Sequence, residues 1–137
     1  MSKRLKIKLS SFFILMILFS TAFAGVSDFN VDLPWWNGEK IAVNWRTKTT
    51  NVDGSHVKFN TATTGRGYVF AKTKVQFSNS GQIAEFSPFV KLSTSTSTNH
   101  WLGSYLELNA SAGDKAQLIL KSDVWNGDQA AGTWDYK

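Results

Sequence analysis

The chain has 137 residues, with 15 Lys and Arg against 10 Asp and Glu, a formal net charge of +5, and no cysteine. This length suits one domain with its own core, and the missing cysteines exclude a disulfide framework and the usual thiolate zinc clusters. The positive charge alone would suggest a nucleic-acid partner.

The amino-terminal 24 residues have the three parts of a secretory signal peptide. Lys3, Arg4, Lys6 and Lys8 form a basic start, residues 12–19 are uninterruptedly apolar, and Ala22-Phe23-Ala24 matches a cleavage site. The apolar run is shorter than the roughly 20 residues that a membrane-spanning helix needs. We therefore expect a signal peptide over residues 1–24 and a secreted, extracellular protein.

Removal of this leader changes the charge balance. It holds four of the 15 cations and none of the 10 acids, which leaves 11 cations against 10 acids and a net charge of about +1. We therefore expect no nucleic-acid partner, because phosphate recognition needs a basic patch. Only segregation of charges by the fold would alter this expectation, and Lys72, Lys74 and Lys91 are the residues that hint at it.

Alternation of apolar and polar residues predicts strands along the rest of the chain. The first covers Phe29–Leu33, and the second places Ile41, Val43 and Trp45 on one face. Others are predicted over His56–Asn60, Tyr68–Phe77, Ile83–Phe86, Phe89–Leu92, Tyr105–Leu108, Ala116–Lys121 and Thr133–Tyr136.

Turn residues separate these runs. Asn37-Gly38, Asp53-Gly54 and Asn126-Gly127 suit the positive φ angles of tight turns. Eight or nine short strands predict an all-β fold, an antiparallel sandwich or alternatively a small barrel, as one domain over residues 25–137. Only Gly127–Ala131 suggests a single helical turn.

The run Ser93–Thr98 alternates serine and threonine without an apolar residue. It predicts an exposed loop or the solvated end of the preceding strand. The alternative is that Lys72–Thr98 forms an amphipathic hairpin that rearranges at a membrane.

A short sequence motif occurs twice. Trp36-Asn37-Gly38-Glu39 precedes Ala42 and Trp45, and Trp125-Asn126-Gly127-Asp128 precedes Ala131 and Trp134 with the same spacing. Two similar aromatic sites would explain it, and so would the general suitability of Asn-Gly for turns and of Trp for the adjoining strands.

Signatures of enzymes are scarce. His56 and His100 are the only histidines, and neither nucleophile elbows nor phosphate-binding loops occur. Glu85 and Glu107 could form the carboxylate pair of a glycosidase only if the fold brought them together. We therefore expect a protein that is not an enzyme and binds neither metal nor cofactor.

The tryptophans are the main candidates for ligand binding. Trp35, Trp36, Trp101 and Trp125 lie at turns or beside polar runs, where an indole can be exposed and stack on a sugar or lie at a lipid boundary. Trp45 and Trp134 lie inside apolar alternations and are expected to fill the core.

The chain resembles small secreted, cysteine-free proteins of Gram-positive bacteria. The features it shares with them are a signal peptide, strands rich in Ser, Thr and Asn, and a Gly-x-Trp ending, here Gly132-Thr133-Trp134-Asp135-Tyr136. Bacteriocins similar to lactococcin 972 belong to this group, and the resemblance implies a β-sandwich that acts at the cell envelope.

Three functions follow as hypotheses. The first is a bacteriocin-like antimicrobial toxin at the bacterial envelope, and the second is a carbohydrate-binding module or adhesin using the exposed tryptophans. The third is an immunity or structural partner that binds another secreted protein through an edge strand. The expected partner is an envelope component or polysaccharide, with a membrane surface as the alternative.

Overall fold

The computed structural model describes residues 25–51, 54–64, 66–84, 89–103, 109–123 and 128–136. The predicted leader and the predicted strand Tyr105–Leu108 lie outside these residues. The described part contains nine strands: β1 (Val26–Leu33), β2 (Glu39–Thr47), β3 (Ser55–Thr63), β4 (Tyr68–Gln76), β5 (Ile83–Ala84), β6 (Val90–Ser93), β7 (Asn99–Leu102), β8 (Lys115–Lys121) and β9 (Asp128–Asp135).

The strands form two antiparallel sheets. Sheet 1 has the order β1-β9-β3-β7, and sheet 2 has the order β2-β8-β4, with β5 and β6 pairing different parts of β4. Neither sheet closes on itself within the described residues, so the prediction of an all-β antiparallel sandwich is confirmed, and the barrel alternative is not adopted.

The core lies between the two sheets, and the strand alternation explains it. In β4 the side chains of Val69, Ala71, Thr73 and Val75 are all buried, because alternate residues of a strand point to the same face. Sheet 1 contributes Phe29, Val57, Phe59 and Trp134 to the same core. Phe29 and Phe59 meet edge to face with their centroids 6.0 Å apart.

The carboxyl-terminal strand corrects one prediction. The expected helical turn at Gly127–Ala131 is wrong, because β9 already begins at Asp128. Its backbone pairs with β1 on one side and β3 on the other, with Ala130 opposite both Val31 and Ala62. Hydrogen-bond ladders on both sides outweigh the weak helical preference of this segment.

Strand β2 corrects a second prediction. Ile41 and Val43 do not share a face: Ile41 is 49% exposed and Val43 is 4% exposed. The register with β8 shifts between these residues and again before Arg46, and such a bulge turns the following side chains. Trp45 is consequently half-buried rather than a full member of the core.

The Ser93–Thr98 run connects the two sheets. Ser93 ends β6 in sheet 2, and residues 94–98 lead to β7 in sheet 1. Strand β7 was not predicted, since Asn99 and His100 gave no apolar alternation; it forms by pairing with Ser55–Lys58 of β3. The predicted loop is therefore confirmed for residues 94–98, and rearrangement of Lys72–Thr98 at a membrane stays a prediction.

Candidate functional site

The connection between β1 and β2 presents two adjacent tryptophans. Its turn is closed by the Gly38 N–H, which donates to the Trp35 carbonyl at 3.2 Å. The two central residues have positive φ angles, 44° at Trp36 and 62° at Asn37. Positive φ at both centres defines a type I′ turn, which lies one residue earlier than the predicted Asn37-Gly38.

The turn requires glycine at position 38 because of a close contact with Pro34, and not because of the φ angle of Gly38. A Cβ atom at this position would lie 2.5 Å from the Cβ of Pro34, closer than two carbon atoms can approach. The missing side chain allows the chain to fold back over Pro34.

Trp36 is an unusual residue in this conformation. Asparagine tolerates the left-handed region, but for a bulky side chain it is a strained arrangement that costs on the order of 1–3 kcal/mol. The turn is held to sheet 2 by the Asn37 N–H, which donates to the Ser122 carbonyl just after β8 at 2.8 Å. Strain retained at an anchored surface turn points to a functional position.

Both indoles of the turn are open to solvent. Trp35 is 71% exposed and Trp36 is 50% exposed. We call residues 34–38 the tryptophan turn. Together its two rings offer a rigid apolar surface bordered by polar groups, including Asn37 and the adjacent Glu39.

Trp101 lies elsewhere, on the outer face of sheet 1. It is 54% exposed and pairs with His56 across β3 and β7. Its indole lies against Gly54 and Gly103, where an added Cβ atom would overlap the ring. The two glycines therefore allow the ring to lie against the backbone.

The structure does not bring the predicted tryptophans into one site. Trp101 belongs to the row Val26, Asp135 and His56, whereas the tryptophan turn follows Leu33 at the other end of the eight-residue strand β1. At ~3.3 Å per residue these ends are about 23 Å apart. Trp125 lies outside the described residues, as do Glu85 and Glu107.

The outer face of sheet 2 carries a cluster that sequence reasoning did not assemble. Lysine ammonium groups lie over aromatic rings in four pairs: Lys91 over Tyr68 at 3.9 Å, Lys121 over Phe89 at 4.2 Å, Lys72 over Phe89 at 4.6 Å and Lys121 over Phe70 at 5.6 Å. We call these six residues the basic–aromatic face. Significant cation–π pairs occur about once per 70–80 residues in proteins, so four on one face form a distinct cluster.

The cluster arises from strand pairing. Phe70 of β4 lies between Lys91 of β6 and Lys121 of β8, three strands that are distant in sequence. The one local signal was the polar face of β4, which combines Tyr68, Phe70 and Lys72. That strand alone does not show which residues flank it.

The opposite outer face has the opposite charge. Sheet 1 directs Asp28 and Asp32 outward from β1, beside Thr133 and Gln129 of β9. Asp135 lies in the row with His56, and the cation Lys58 lies in the row of Asp28 and Thr133. Among the described residues, the fold therefore separates acidic from basic side chains. The expectation of no nucleic-acid partner is based on the near-neutral net charge, and it assumes that no such separation occurs.

The acidic residue of each copy of the repeated motif begins a strand. Glu39 is the first residue of β2 and Asp128 is the first residue of β9. Their environments differ: Asp128 is buried and accepts a hydrogen bond from Ser122 Oγ at 2.5 Å, whereas the exposed Glu39 pairs with Lys72 at 3.1 Å. Trp134 fills the core as predicted and donates to Ser55 Oγ at 3.0 Å.

The histidines have no common site. His56 is exposed on sheet 1, and the His100 Nε2 lies 2.6 Å from the Ser93 carbonyl, which can only accept a hydrogen bond. Among the described residues, no three His, Asp or Glu side chains are grouped as metal ligands would be.

The region described includes no helix with the length and apolar character needed to cross a membrane. No family model matches this chain, and neither a curated protein nor a solved structure was found to be similar to it.

Proposed function

We propose that this protein is secreted and non-enzymatic and that it attaches to a bacterial envelope polysaccharide through the tryptophan turn. The observation that supports the proposal is Trp36, a bulky residue with a φ angle of 44° at an exposed turn. An asparagine or glycine would relieve the strain at this position. The indole is therefore better explained by its surface chemistry than by the fold.

The chemistry of sugar binding suits this turn. The apolar face of a pyranose ring stacks on an indole, and nearby polar groups bond its hydroxyls. Trp35 and Trp36 supply two such rings on a short, hydrogen-bonded turn. Little conformational entropy is lost when a ligand binds a surface that is already ordered.

Both leading hypotheses require that the protein first attaches to the bacterial envelope. A carbohydrate-binding module or adhesin needs only attachment, whereas a bacteriocin-like toxin also needs a lethal consequence. The resemblance to the lactococcin 972-like bacteriocins favours the toxin, and the tryptophan turn favours attachment. We therefore propose attachment as the molecular function and bacteriocin-like killing as the second candidate.

The test compares the two tryptophan positions on the sandwich. Titration of the mature protein with solubilised envelope polysaccharide is expected to change its tryptophan fluorescence, and Trp35→Ala combined with Trp36→Ala should weaken binding at least tenfold. Trp101→Ala is the matched control, because it removes one comparably exposed indole at the other end of sheet 1. Equal weakening by the control would contradict the assignment of the site.

Two further measurements address export and killing. Mass spectrometry of the natural product is expected to show Gly25 as the first residue, and an intact Met1 in retained protein would contradict secretion. Growth inhibition of related bacteria by the mature protein would support the toxin. If the protein binds cells without inhibiting them, the adhesin or carbohydrate-binding function is supported instead.

A further inference from the structure

We infer that the basic–aromatic face of sheet 2 is a second binding surface, and that its ligand is a soluble polyol-phosphate polymer of the bacterial envelope. The inference rests on the proposed function only for the location outside the cell. The affinity for phosphodiester charge rests on the face itself.

Two carboxylates that the structure describes beside this face are already paired. Glu39 accepts from Lys72 at 3.1 Å, and Asp123 accepts from Arg66 at 3.1 Å. The described partners of Lys91 and Lys121 are instead aromatic rings. An aromatic ring attracts an ammonium group without neutralising its charge, so these two lysines keep a full positive charge to offer a ligand.

The rings also hold the lysines in place. Phe89 lies between Lys72 and Lys121, and Lys72 retains only 11% of its side-chain exposure. A free lysine loses up to about 2 kcal/mol of rotamer entropy when it is ordered. Part of that cost is already met here, which favours binding of an anion in a defined arrangement.

The geometry suits a chain of charges rather than one anion. Lys91 and Lys121 are on the strands either side of β4, opposite the same residue Phe70. Two strand spacings separate their backbones by about 9.6 Å. Cations in a row across an open sheet suit a polymer with regularly repeated phosphates. A single enclosed pocket would instead suit one small anion.

A dissolved polymer fits better than a lipid surface. The rings of Tyr68 and Phe70 are partly buried and pack against each other with centroids 5.6 Å apart. Lysines lie over both rings, so the rings do not protrude as membrane-inserting side chains would. The tryptophan turn joins this face through Ser122, which follows Lys121, so one polymer that carries sugars and phosphates could contact both surfaces.

The experiment measures binding to purified poly(glycerol phosphate) at several salt concentrations. The mature protein is expected to bind more weakly as salt rises, because phosphate-bound counterions are released on association. Lys91→Gln combined with Lys121→Gln should weaken binding at least tenfold and reduce the salt slope by about 2, about 1 for each lost phosphate contact.

The matched control is Lys58→Gln combined with Lys40→Gln, which removes the same charge from exposed positions outside the face. It is expected to change the affinity less than threefold. Unaltered thermal unfolding and unaltered binding of neutral envelope polysaccharide would show that the Lys91 and Lys121 variant is folded. An equal effect of the control would overturn the inference, because binding would then depend on net charge alone.

Other anionic ligands test the choice of polymer. Absence of poly(glycerol phosphate) binding at low salt would overturn the inference. Tighter binding to duplex DNA, to RNA or to vesicles of anionic phospholipid at the same salt would also overturn it. Binding of neutral polysaccharide by the Trp35 and Trp36 variants tests the proposed function alone. Binding of poly(glycerol phosphate) by the Lys91 and Lys121 variant tests the present inference, so failures of the two proposals are distinguishable.

Discussion

The two outer faces of the sandwich have the same architecture and opposite chemistry. Sheet 1 presents Asp28 and Asp32 with small polar neighbours, and Trp101 at its far end. Sheet 2 presents lysines ordered over aromatic rings. Strand alternation explains why each sheet has an inner and an outer face, but it does not determine the charge of either outer face.

The comparison shows that the total charge of the chain describes neither outer face. After the predicted leader is removed, the sequence leaves a net charge of about +1, yet among the described residues aspartates predominate on the outer face of sheet 1 and lysines on that of sheet 2. Such a molecule can approach a polyanion with one face and not with the other, because exposed charges are screened beyond ~8 Å at physiological salt.

The largest expected effect is a loss of stability on truncating a residue of the core, which lies between the two sheets and supports both outer faces. Trp134→Ala deletes a fully buried indole and leaves Ser55 Oγ without its donor. We expect a loss of about 3–5 kcal/mol in the free energy of unfolding, as for other buried aromatic residues. Urea denaturation measures this loss. Trp35→Ala is the control: Trp35 is 71% exposed, so its substitution should change the free energy of unfolding by less than about 0.5 kcal/mol.

The next effect compares the buried aspartates that begin the two central strands, Asp114 before β8 and Asp128 in β9. Asp114 accepts the N–H groups of Ser78 at 2.8 Å and Ser111 at 2.9 Å. Burial alone would raise the pKa of Asp114, but these hydrogen bonds and the charge of Lys48 outweigh it, so the pKa lies below 3.8. Asp114→Asn should therefore cost about 1–3 kcal/mol at neutral pH.

The pH dependence gives this prediction its sign. A lowered folded-state pKa stabilises the fold above the unfolded-state pKa, and this contribution disappears as the pH falls through the folded-state value. The stability difference between the natural protein and Asp114→Asn should thus be complete at pH 7 and shrink below about pH 4. Urea denaturation at pH 7 and at about pH 2 measures this difference. The same difference at the two pH values would contradict the role of the charge. At neutral pH, Asp128→Asn tests the buried hydrogen-bonded aspartate of sheet 1, which accepts from Ser122 Oγ.

A smaller effect isolates the strain in the tryptophan turn. Trp36→Gly and Trp36→Ala both remove the indole, but only glycine adopts a positive φ angle without cost. The glycine variant should be more stable than the alanine variant by about 1 kcal/mol. Thermal unfolding of the two measures this difference, and equal stability would show that the turn is not strained.

Thr73 gives a stabilising prediction in the core beneath the basic–aromatic face. Its Oγ1 atom is buried and has no hydrogen-bond partner among the described residues. Thr73→Val keeps the shape and removes the unsatisfied hydroxyl, so the free energy of unfolding should rise by about 1 kcal/mol. Val75→Thr, which introduces a hydroxyl at the next buried position of the same strand, should lower it.

The smallest effect tests whether the two faces act independently. Asp28→Asn combined with Asp32→Asn neutralises part of sheet 1 and leaves sheet 2 unchanged. Because the sheets are ~10 Å apart and the charges are screened, affinity for poly(glycerol phosphate) should rise less than twofold. An increase comparable to the loss in the Lys91 and Lys121 variant would show that total charge governs binding.

Local patterns in the sequence determined the fold class and the positions of most strands along the chain. Alternation over Tyr68–Phe77 places Val69, Ala71 and Val75 on one face, which the structure buries, and Trp134 is predicted to lie in the core from its own strand. Where hydrogen bonding to distant strands decided the outcome, the predictions were incomplete. Strand β7 forms by pairing with β3, Asp128–Ala131 is a strand because both of its neighbours are strands, and bulges in β2 turned Ile41 outward.

For the candidate sites, the sequence by itself nominated exposed tryptophans, because neighbouring indoles at a Pro and Asn-Gly segment cannot all be buried. Only the tertiary structure decided that Trp35 and Trp36 form one turn and that Trp101 lies at the other end of sheet 1. It alone placed Lys91 and Lys121 on either side of Phe70. The physical reason is that strand pairing creates neighbours across dozens of residues, and no local periodicity encodes which strands will pair.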